Sequence, residues 1–158
     1  MFYVITAFYP TYGKLIATCK AFHSSVQVEM TAPDKRIVYF EDDCDMVELV
    51  RIILSREGYQ VDGIAEGQAG IELIKENLPD VILLDLMLPD MDGWEIYRQL
   101  KKDPSTAEIP VIVVTAKAQS IDKVLGLEIA KVDEYISKPF RPNDLVERVN
   151  MVLAANQK

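Results

Sequence analysis

The chain has 158 residues, of which 49% are hydrophobic and 27% charged, a composition typical of one globular domain with a buried core. The formal net charge of −8 argues against a surface that contacts nucleic acid directly. No run of 18 apolar residues occurs, so no membrane span is indicated, and two cysteines are too few for a disulfide framework and favour a reducing, cytoplasmic compartment.

Residues 1–33 differ from the rest of the chain in charge and composition. They carry a net charge of +1, against −9 for residues 34–158, and they are rich in aromatic residues. The stretch MTAPDKRIVYFEDD, from Met30 onward, has the form of a domain start. We therefore divide the chain into an N-terminal extension at 1–33 and a domain at 34–158, and expect the extension to be dispensable for folding.

From Arg36 onward, short apolar segments alternate with amphipathic ones. The apolar segments predict strands at 37–41, 60–65, 81–85, 111–115 and 134–137. Helical spacing of apolar residues predicts helices at 44–56, 67–77, 94–102, 121–130 and 143–154. Five successive β/α units imply an α/β fold with a parallel sheet covered on both faces. The apolar third and fourth strands favour central positions, and hence the doubly wound strand order 2-1-3-4-5.

Polar residues collect where these strands end. Each one alone has an ordinary explanation as a helix cap, a strand residue or a surface charge. In a parallel sheet, however, the carboxyl ends share one edge, and ligands bind beyond it at the switch point between strands one and three. The residues that converge there are Glu41, Asp42, Asp43, Asp85, Thr115 and Lys138.

This set of residue types predicts a magnesium site that handles a phosphoryl group. Neighbouring carboxylates repel one another unless a cation lies between them, and Mg²⁺ takes one or two carboxylates together with phosphate oxygens and waters. A lysine and a threonine hydroxyl can bind the other phosphoryl oxygens. An aspartate beside Mg²⁺ can act as a nucleophile and carry an acyl phosphate, which explains why the apolar strand VILLD ends on Asp85.

From about residue 36 to residue 153, the sequence closely resembles the receiver domain of two-component response regulators. The resemblance rests on the motifs VYFEDD, ILLDLMLPDMDG, VIVVTA and DEYISKPF. It implies a flavodoxin-like (βα)5 fold and a stand-alone, CheY-like switch in a phosphorelay. Such a switch accepts a phosphoryl group from a sensor histidine kinase or a phosphotransfer protein. It is not an enzyme beyond Mg²⁺-dependent self-phosphorylation and slow self-dephosphorylation.

The resemblance also implies roles for individual residues. Asp85 is implied as the phosphoacceptor and as a ligand of Mg²⁺. Asp42 is implied as a second direct ligand, the backbone carbonyl of Met87 as a third, and Glu41 as a ligand through water.

On the other side of the phosphoryl group, the resemblance implies that Thr115 and Lys138 bind its oxygens. Tyr135 is implied as the switch aromatic, whose rotamer reports phosphorylation. The peptide between Lys138 and Pro139 is expected to be cis. Trp94, outside this set, is interpreted as a surface anchor.

Few residues follow Leu153, so we expect the output to be a protein–protein contact with a downstream protein through the 121–153 face. Asp133, Glu134 and Arg148 lie in this region and could form ion pairs across a homodimer, although such surface pairs are usually weak. A receiver module detached from a larger regulator or hybrid kinase is the nearest alternative.

Two alternatives come from other classes of protein. A phosphohydrolase of the haloacid dehalogenase type also uses a strand-end aspartate and Mg²⁺. That family requires a second acid two residues after the nucleophile, where this chain has Met87. A nucleotide-binding module is disfavoured because neither GxxxxGK[ST] nor GxGxxG occurs.

Two positions bear on the lifetime of a phosphorylated form. In receivers that lose phosphate quickly, acid or amide groups often lie two residues beyond the phosphoacceptor and two beyond the threonine. Here these positions are Met87 and Lys117, and neither side chain can accept a proton from an attacking water. We therefore expect a lifetime of minutes rather than seconds.

Overall fold

The computed structural model describes residues 16–18, 27–29, 35–116 and 132–156. Contacts between Cα atoms divide the chain into two units, residues 1–32 and 33–158. In the first unit, strand β1 (Ile16–Thr18) pairs antiparallel with strand β2 (Gln27–Glu29). The other strands and helices of the described residues belong to the second unit.

A five-stranded sheet forms the centre of the second unit. Its strands are β3 (Lys35–Phe40), β4 (Tyr59–Ile64), β5 (Val81–Leu84), β6 (Val111–Thr115) and β7 (Glu134–Ser137). They lie in the order β4-β3-β5-β6-β7, and all four pairings are parallel. The predicted order 2-1-3-4-5 and the flavodoxin-like α/β fold are therefore confirmed.

Helices flank the sheet on both faces. They are α1 (Cys44–Ser55), α2 (Gly67–Glu76), α3 (Gly93–Lys102) and α4 (Pro142–Ala155). These helices and the five strands begin and end within two residues of their predicted bounds. The helix predicted at 121–130 lies outside the described residues, as does Lys117. No helix in the described ranges is long and apolar enough to cross a membrane.

The core consists of two apolar layers, because successive side chains of a strand point to opposite faces of the sheet. Ile37 and Tyr39 of β3 pack in the layer that contains α1 and α4, whereas Val38 and Phe40 pack in the layer that contains α2 and α3. All four residues of β5 are fully buried. The strand is therefore covered on both faces, which accounts for its unbroken apolar sequence.

Trp94 is buried, with 8% of its surface exposed, so its interpretation as a surface anchor is wrong. It packs in the layer of α2 and α3, and its ring meets that of Tyr97 edge-on, with the centroids 6.0 Å apart. The cause lies one residue earlier, where the backbone N–H of Gly93 donates to the carbonyl of Leu86 at 3.2 Å. This contact draws the first turn of α3 against the loop that follows β5, so Trp94 faces inward.

Candidate functional site

Three buried polar side chains lie at the carboxyl edge of the sheet, and few such groups are buried elsewhere in the described residues. Glu41 follows β3, Asp85 follows β5, and Thr115 ends β6; they are 4%, 6% and 0% exposed. In the described ranges, Thr106 is the only other buried polar or charged residue. Lys138, which directly follows β7, completes the group. Of the six strand-end residues expected to converge, these four therefore do so.

Lys138 binds two carboxylates at once. Its Nζ atom lies 2.5 Å from Oδ2 of Asp85 and also donates to Oε2 of Glu41. Burial works to lower the pKa of Lys138, but the hydrogen bonds and charges of Asp85 and Glu41 outweigh it, so the net direction is upward. The lysine therefore remains an ammonium. One positive charge between two carboxylates leaves the site with excess negative charge.

The backbone around Lys138 is also fixed. Its N–H donates to the carbonyl of Thr115, the last residue of β6, at 3.0 Å, which continues the pairing of the two strands one residue beyond the end of β7. The Lys138–Pro139 peptide is cis, as the resemblance implied. Lysine and threonine are thus held side by side on adjacent strands.

Asp85 is held by its own backbone and by its neighbours. Its N–H donates to the carbonyl of Phe40 at 3.0 Å, and its Oδ1 atom accepts from the backbone N–H of Met87 at 3.0 Å. A Cβ atom at Gly93 would lie 2.7 Å from the carbonyl oxygen of Asp85 and 2.5 Å from Cα of Leu86. Only glycine therefore allows α3 to approach this loop so closely.

The loop from Leu86 to Asp92 is fastened at its far side to α2. Oδ2 of Asp90 accepts from the N–H of Gly67, the first residue of α2, at 2.8 Å. Glu66, at the N-cap position, makes no side-chain capping bond of its own. Asp90 therefore satisfies an N-terminal amide of a helix that begins 23 residues earlier in the chain.

The three acids that follow β3 have three different environments. Glu41 is buried against Lys138, whereas Asp42 is exposed. Asp43 is the N-cap of α1, and its Oδ1 atom accepts from the N–H groups of Asp45 and Met46 at 2.9 and 3.2 Å. The capping explanation is therefore correct for Asp43, which leaves Glu41 and Asp42 for other roles.

The donors at this edge fit Mg²⁺. Within the described part of the chain, no three His, Cys, Asp or Glu side chains form a ready-made metal cluster. Mg²⁺ does not require one, because it usually keeps several waters and takes one or two carboxylates with phosphate oxygens. Asp85 and Glu41 supply oxygen donors and uncompensated negative charge, while exposed Asp42 stands next in sequence to Glu41. All these donors are hard oxygens, which suit this ion.

Tyr135, on β7, has a buried hydroxyl that lacks a hydrogen-bond partner among the described residues. Burial, and then the charge of Asp85, raise the pKa of this phenol. A buried polar group without a partner costs about 1–3 kcal/mol, so the hydroxyl would gain from any acceptor brought within reach. Tyr135 therefore lies close enough to Asp85 to respond to its charge.

The model of the response regulator receiver domain family matches residues 37–150. The chain belongs to this family. The DNA-binding response regulator MtrA of Mycobacterium tuberculosis is 40% identical to this receiver over 122 residues, which are 77% of this chain and 52% of that protein. This receiver therefore spans about half the length of the curated relatives it matches.

Solved structures agree with this membership. The CheY-like receiver domain protein of Methanospirillum hungatei is 32% identical, with a TM-score of 0.70, and the match covers 78% of this chain and 96% of that one. The receiver domain of the sensor histidine kinase PA1611 from Pseudomonas aeruginosa is 25% identical, with a TM-score of 0.69, over 76% of this chain and 98% of that one. That structure has a magnesium ion coordinated in its active-site cleft.

Two residues that support the site of this receiver were not predicted from the sequence. Tyr39 donates its hydroxyl to Glu41, and Asp90 anchors the loop that carries Met87. The contact of Tyr39 could have been predicted, because residues two apart on a strand share a face and Tyr39 precedes Glu41 by two. Asp90 had no comparable signal, because its partner Gly67 is remote in sequence.

The charged residues expected to serve a homodimer are engaged within this receiver. Arg148 pairs with Glu134 at 2.8 Å. Asp133 accepts from the backbone N–H of Val111 at 2.8 Å and lies 3.6 Å from Nζ of Lys101. Pairing across a homodimer would have to compete with these internal contacts, and it stays a prediction.

Proposed function

We propose that this chain is a signalling switch that accepts a phosphoryl group on Asp85 from a histidine kinase or a phosphotransfer protein. The observation that carries the proposal is the environment of Asp85. The carboxylate is 6% exposed and stands at the end of a rigid central strand, between the ammonium of Lys138 and the N–H of Met87. A carboxylate held between two such donors keeps a fixed direction of attack.

In the proposed reaction, an oxygen of Asp85 forms a bond to phosphorus while the bond from phosphorus to the donor breaks. The electron pair of that bond leaves with the imidazole of a phosphohistidine, or with acetate when acetyl phosphate is the donor. Lys138, now on Oδ2 of Asp85, moves its ammonium to a phosphoryl oxygen, and the hydroxyl of Thr115 donates to another.

A bound Mg²⁺ would supply positive charge that offsets the charge on the phosphoryl oxygens. Asp42, Asp85 and the carbonyl of Met87 would hold it directly, and Glu41 through water. Tyr135 is proposed as the residue that reports the reaction. Its buried hydroxyl is unpaired among the described residues. It would gain an acceptor once the site carries phosphoryl oxygens and Thr115 turns toward them.

Intact-mass measurement after incubation with acetyl phosphate and Mg²⁺ tests the proposal. One phosphoryl group should be added, and EDTA should prevent the addition. Asp42→Ala should slow labelling at least about tenfold, because Mg²⁺ loses a charged ligand. Asp45→Ala removes another exposed acid, in the first turn of α1, and should leave the rate unchanged. Full labelling in EDTA would contradict the assignment of the site.

A phosphohydrolase would behave differently with a generic phosphate ester. The side chain of Met87 occupies the position where that class needs a second acid, and it cannot donate a proton to a leaving group. We therefore expect stoichiometric uptake from acetyl phosphate and no turnover of para-nitrophenyl phosphate. Sustained turnover that is lost in Asp85→Asn would favour the hydrolase.

The output of the switch is proposed to be a protein–protein contact through the 121–153 face, in the cytoplasm. The matched relatives are named as DNA-binding regulators, and the match covers about half of their length. This observation favours, as a second candidate, a receiver module that acts within a larger regulator. In either case the receiver itself is proposed not to touch nucleic acid, given its strongly acidic composition.

The phosphorylated form is expected to be long-lived. Met87 is 49% exposed, and its backbone N–H binds Asp85, so the residue next to the reacting carboxylate carries a side chain whose sulfur is only a weak acceptor. Met87→Asn provides an amide that can orient a water, and it should speed dephosphorylation about 3–10-fold, or about 0.7–1.4 kcal/mol of barrier. The measurement is the decay of phosphoprotein after the donor is removed. Met151→Asn, at an equally exposed methionine on α4, should decay like the wild type.

A further inference from the structure

Tyr39 is a fully buried tyrosine of β3 whose hydroxyl reaches the site. Its ring packs in the layer of α1 and α4, and the hydroxyl donates to Oε2 of Glu41, two residues further along the same face of the strand. Burial, followed by the hydrogen bond and the charge of Glu41, raises the pKa of this phenol, so it stays protonated and remains a donor.

Glu41 is consequently held on several sides. Its Oε2 atom accepts from both Tyr39 and Lys138, and its Oε1 atom lies 3.4 Å from the backbone nitrogen of Asp43. Only 4% of the residue is exposed. Of the two donors to Oε2, the tyrosine is the rigid one, because its ring is fixed in the core whereas the lysine has a flexible stem.

We propose that Tyr39 is a positioning residue that holds the Glu41 carboxylate on Lys138 and restrains it from turning toward Mg²⁺. The two acids after β3 thereby have separate tasks. Glu41 anchors the lysine, whereas Asp42 is left to bind the metal directly. This inference rests on the proposed magnesium-dependent phosphoacceptor function.

The consequence of removing the hydroxyl follows from charge and geometry. In Tyr39→Phe the ring still fills its place in the core, but Oε2 of Glu41 keeps only one of its two donors. The carboxylate then has more uncompensated charge and more freedom to approach the metal. Mg²⁺ should bind about 3–10-fold more tightly, a factor of the size that one net hydrogen bond corresponds to.

Isothermal titration with Mg²⁺ alone measures this effect directly. The matched control is Tyr59→Phe, which removes another tyrosine hydroxyl that makes a hydrogen bond, here with Asn150, but at the start of β4. Tyr39→Phe should lower the dissociation constant of Mg²⁺ about 3–10-fold, while Tyr59→Phe should leave it unchanged. A constant that stays within about twofold of the wild type, or that rises, would overturn the inference.

A double-mutant cycle shows whether the tyrosine acts through Glu41. Glu41→Gln removes the charge, so adding Tyr39→Phe to it should change the Mg²⁺ constant less than about twofold. An undiminished effect in that background would overturn the inference, because the hydroxyl would then act by another route.

Measurements on the wild type distinguish a failure of this inference from a failure of the proposed function. If it binds Mg²⁺ and is phosphorylated, a silent Tyr39→Phe refutes only the role of Tyr39; if it does neither, the proposed function falls together with this role.

Discussion

Asp85→Asn is expected to abolish phosphoryl uptake while leaving the fold intact. An amide is not a nucleophile toward phosphorus at neutral pH, and among the described residues no other carboxylate directly follows the central strand β5 as Asp85 does. The amide oxygen can still accept from the N–H of Met87, and Lys138 keeps Glu41 as its partner, so no buried charge is left unpaired. Intact mass after treatment with acetyl phosphate and Mg²⁺ measures the loss.

Asp43→Asn is the matched control for this substitution. It makes the same chemical change in an acid at the same edge of the sheet, but Asp43 is exposed and caps α1, and asparagine caps a helix about as well as aspartate. Its labelling should equal that of the wild type. If Asp85→Asn were still labelled at the wild-type rate, another residue would have to accept the phosphoryl group.

Lys138→Met is expected to cause the largest loss of stability among the substitutions considered. The side chains of Lys138, Glu41 and Asp85 are only 13%, 3% and 9% exposed. Without the ammonium, two adjacent buried carboxylates lose the cation that they share. Removing one partner of a buried ion pair typically costs about 3–5 kcal/mol, and this loss should appear in the free energy of unfolding measured with urea at pH 7.

Lys35→Met supplies the comparison for an exposed pair. Lys35 lies 3.0 Å from Asp80, and both side chains are 33% exposed, so its loss should cost no more than about 1 kcal/mol. A loss at Lys138 as small as that at Lys35 would mean that solvent reaches the site and screens it.

The pH dependence of the Lys138→Met effect has a definite sign. The pKa of Lys138 is raised above the ordinary value of 10.5, so the protonated lysine stabilises the folded state fully below that value. Its contribution is lost as the pH rises through the raised value. The part of the stability difference that comes from the lysine's charge should therefore be fully present near neutral pH and shrink in strongly alkaline solution.

The position of the site could be predicted from the sequence because it depends on topology. Once the apolar segments are recognised as five parallel strands, Asp85, Thr115 and Lys138 must share an edge, since each lies at a strand's carboxyl end. The three acids after β3 could be placed at the same edge, but the pattern of residues did not show the environment of each one. Which of them is buried, exposed or capping depends on the first turn of α1 and on the reach of Lys138.

Contacts between distant parts of the chain could not be predicted in this way. Trp94 begins an amphipathic helix, and its burial depends on the close approach of Gly93 to Leu86, which is a property of packing. The bond from Gly67 to Asp90 likewise joins the start of α2 to the loop after β5, two segments that no periodicity relates. Alternation and helical spacing identify the face that a residue occupies, but they do not identify its partner.

At the junction of α2 with the loop after β5, the residues tolerated in one segment depend on those present in the other. A Cβ atom at Gly67 would lie 2.8 Å from Cβ of Met91, and the amide of Gly67 is bound by Asp90. A side chain gained at position 67 would have to be matched by a smaller residue at 91 or by a displaced loop. The same displacement would move Met87, which contacts Asp85. Substitutions in α2, at a distance from the proposed phosphoacceptor, are thus constrained by the geometry of the site.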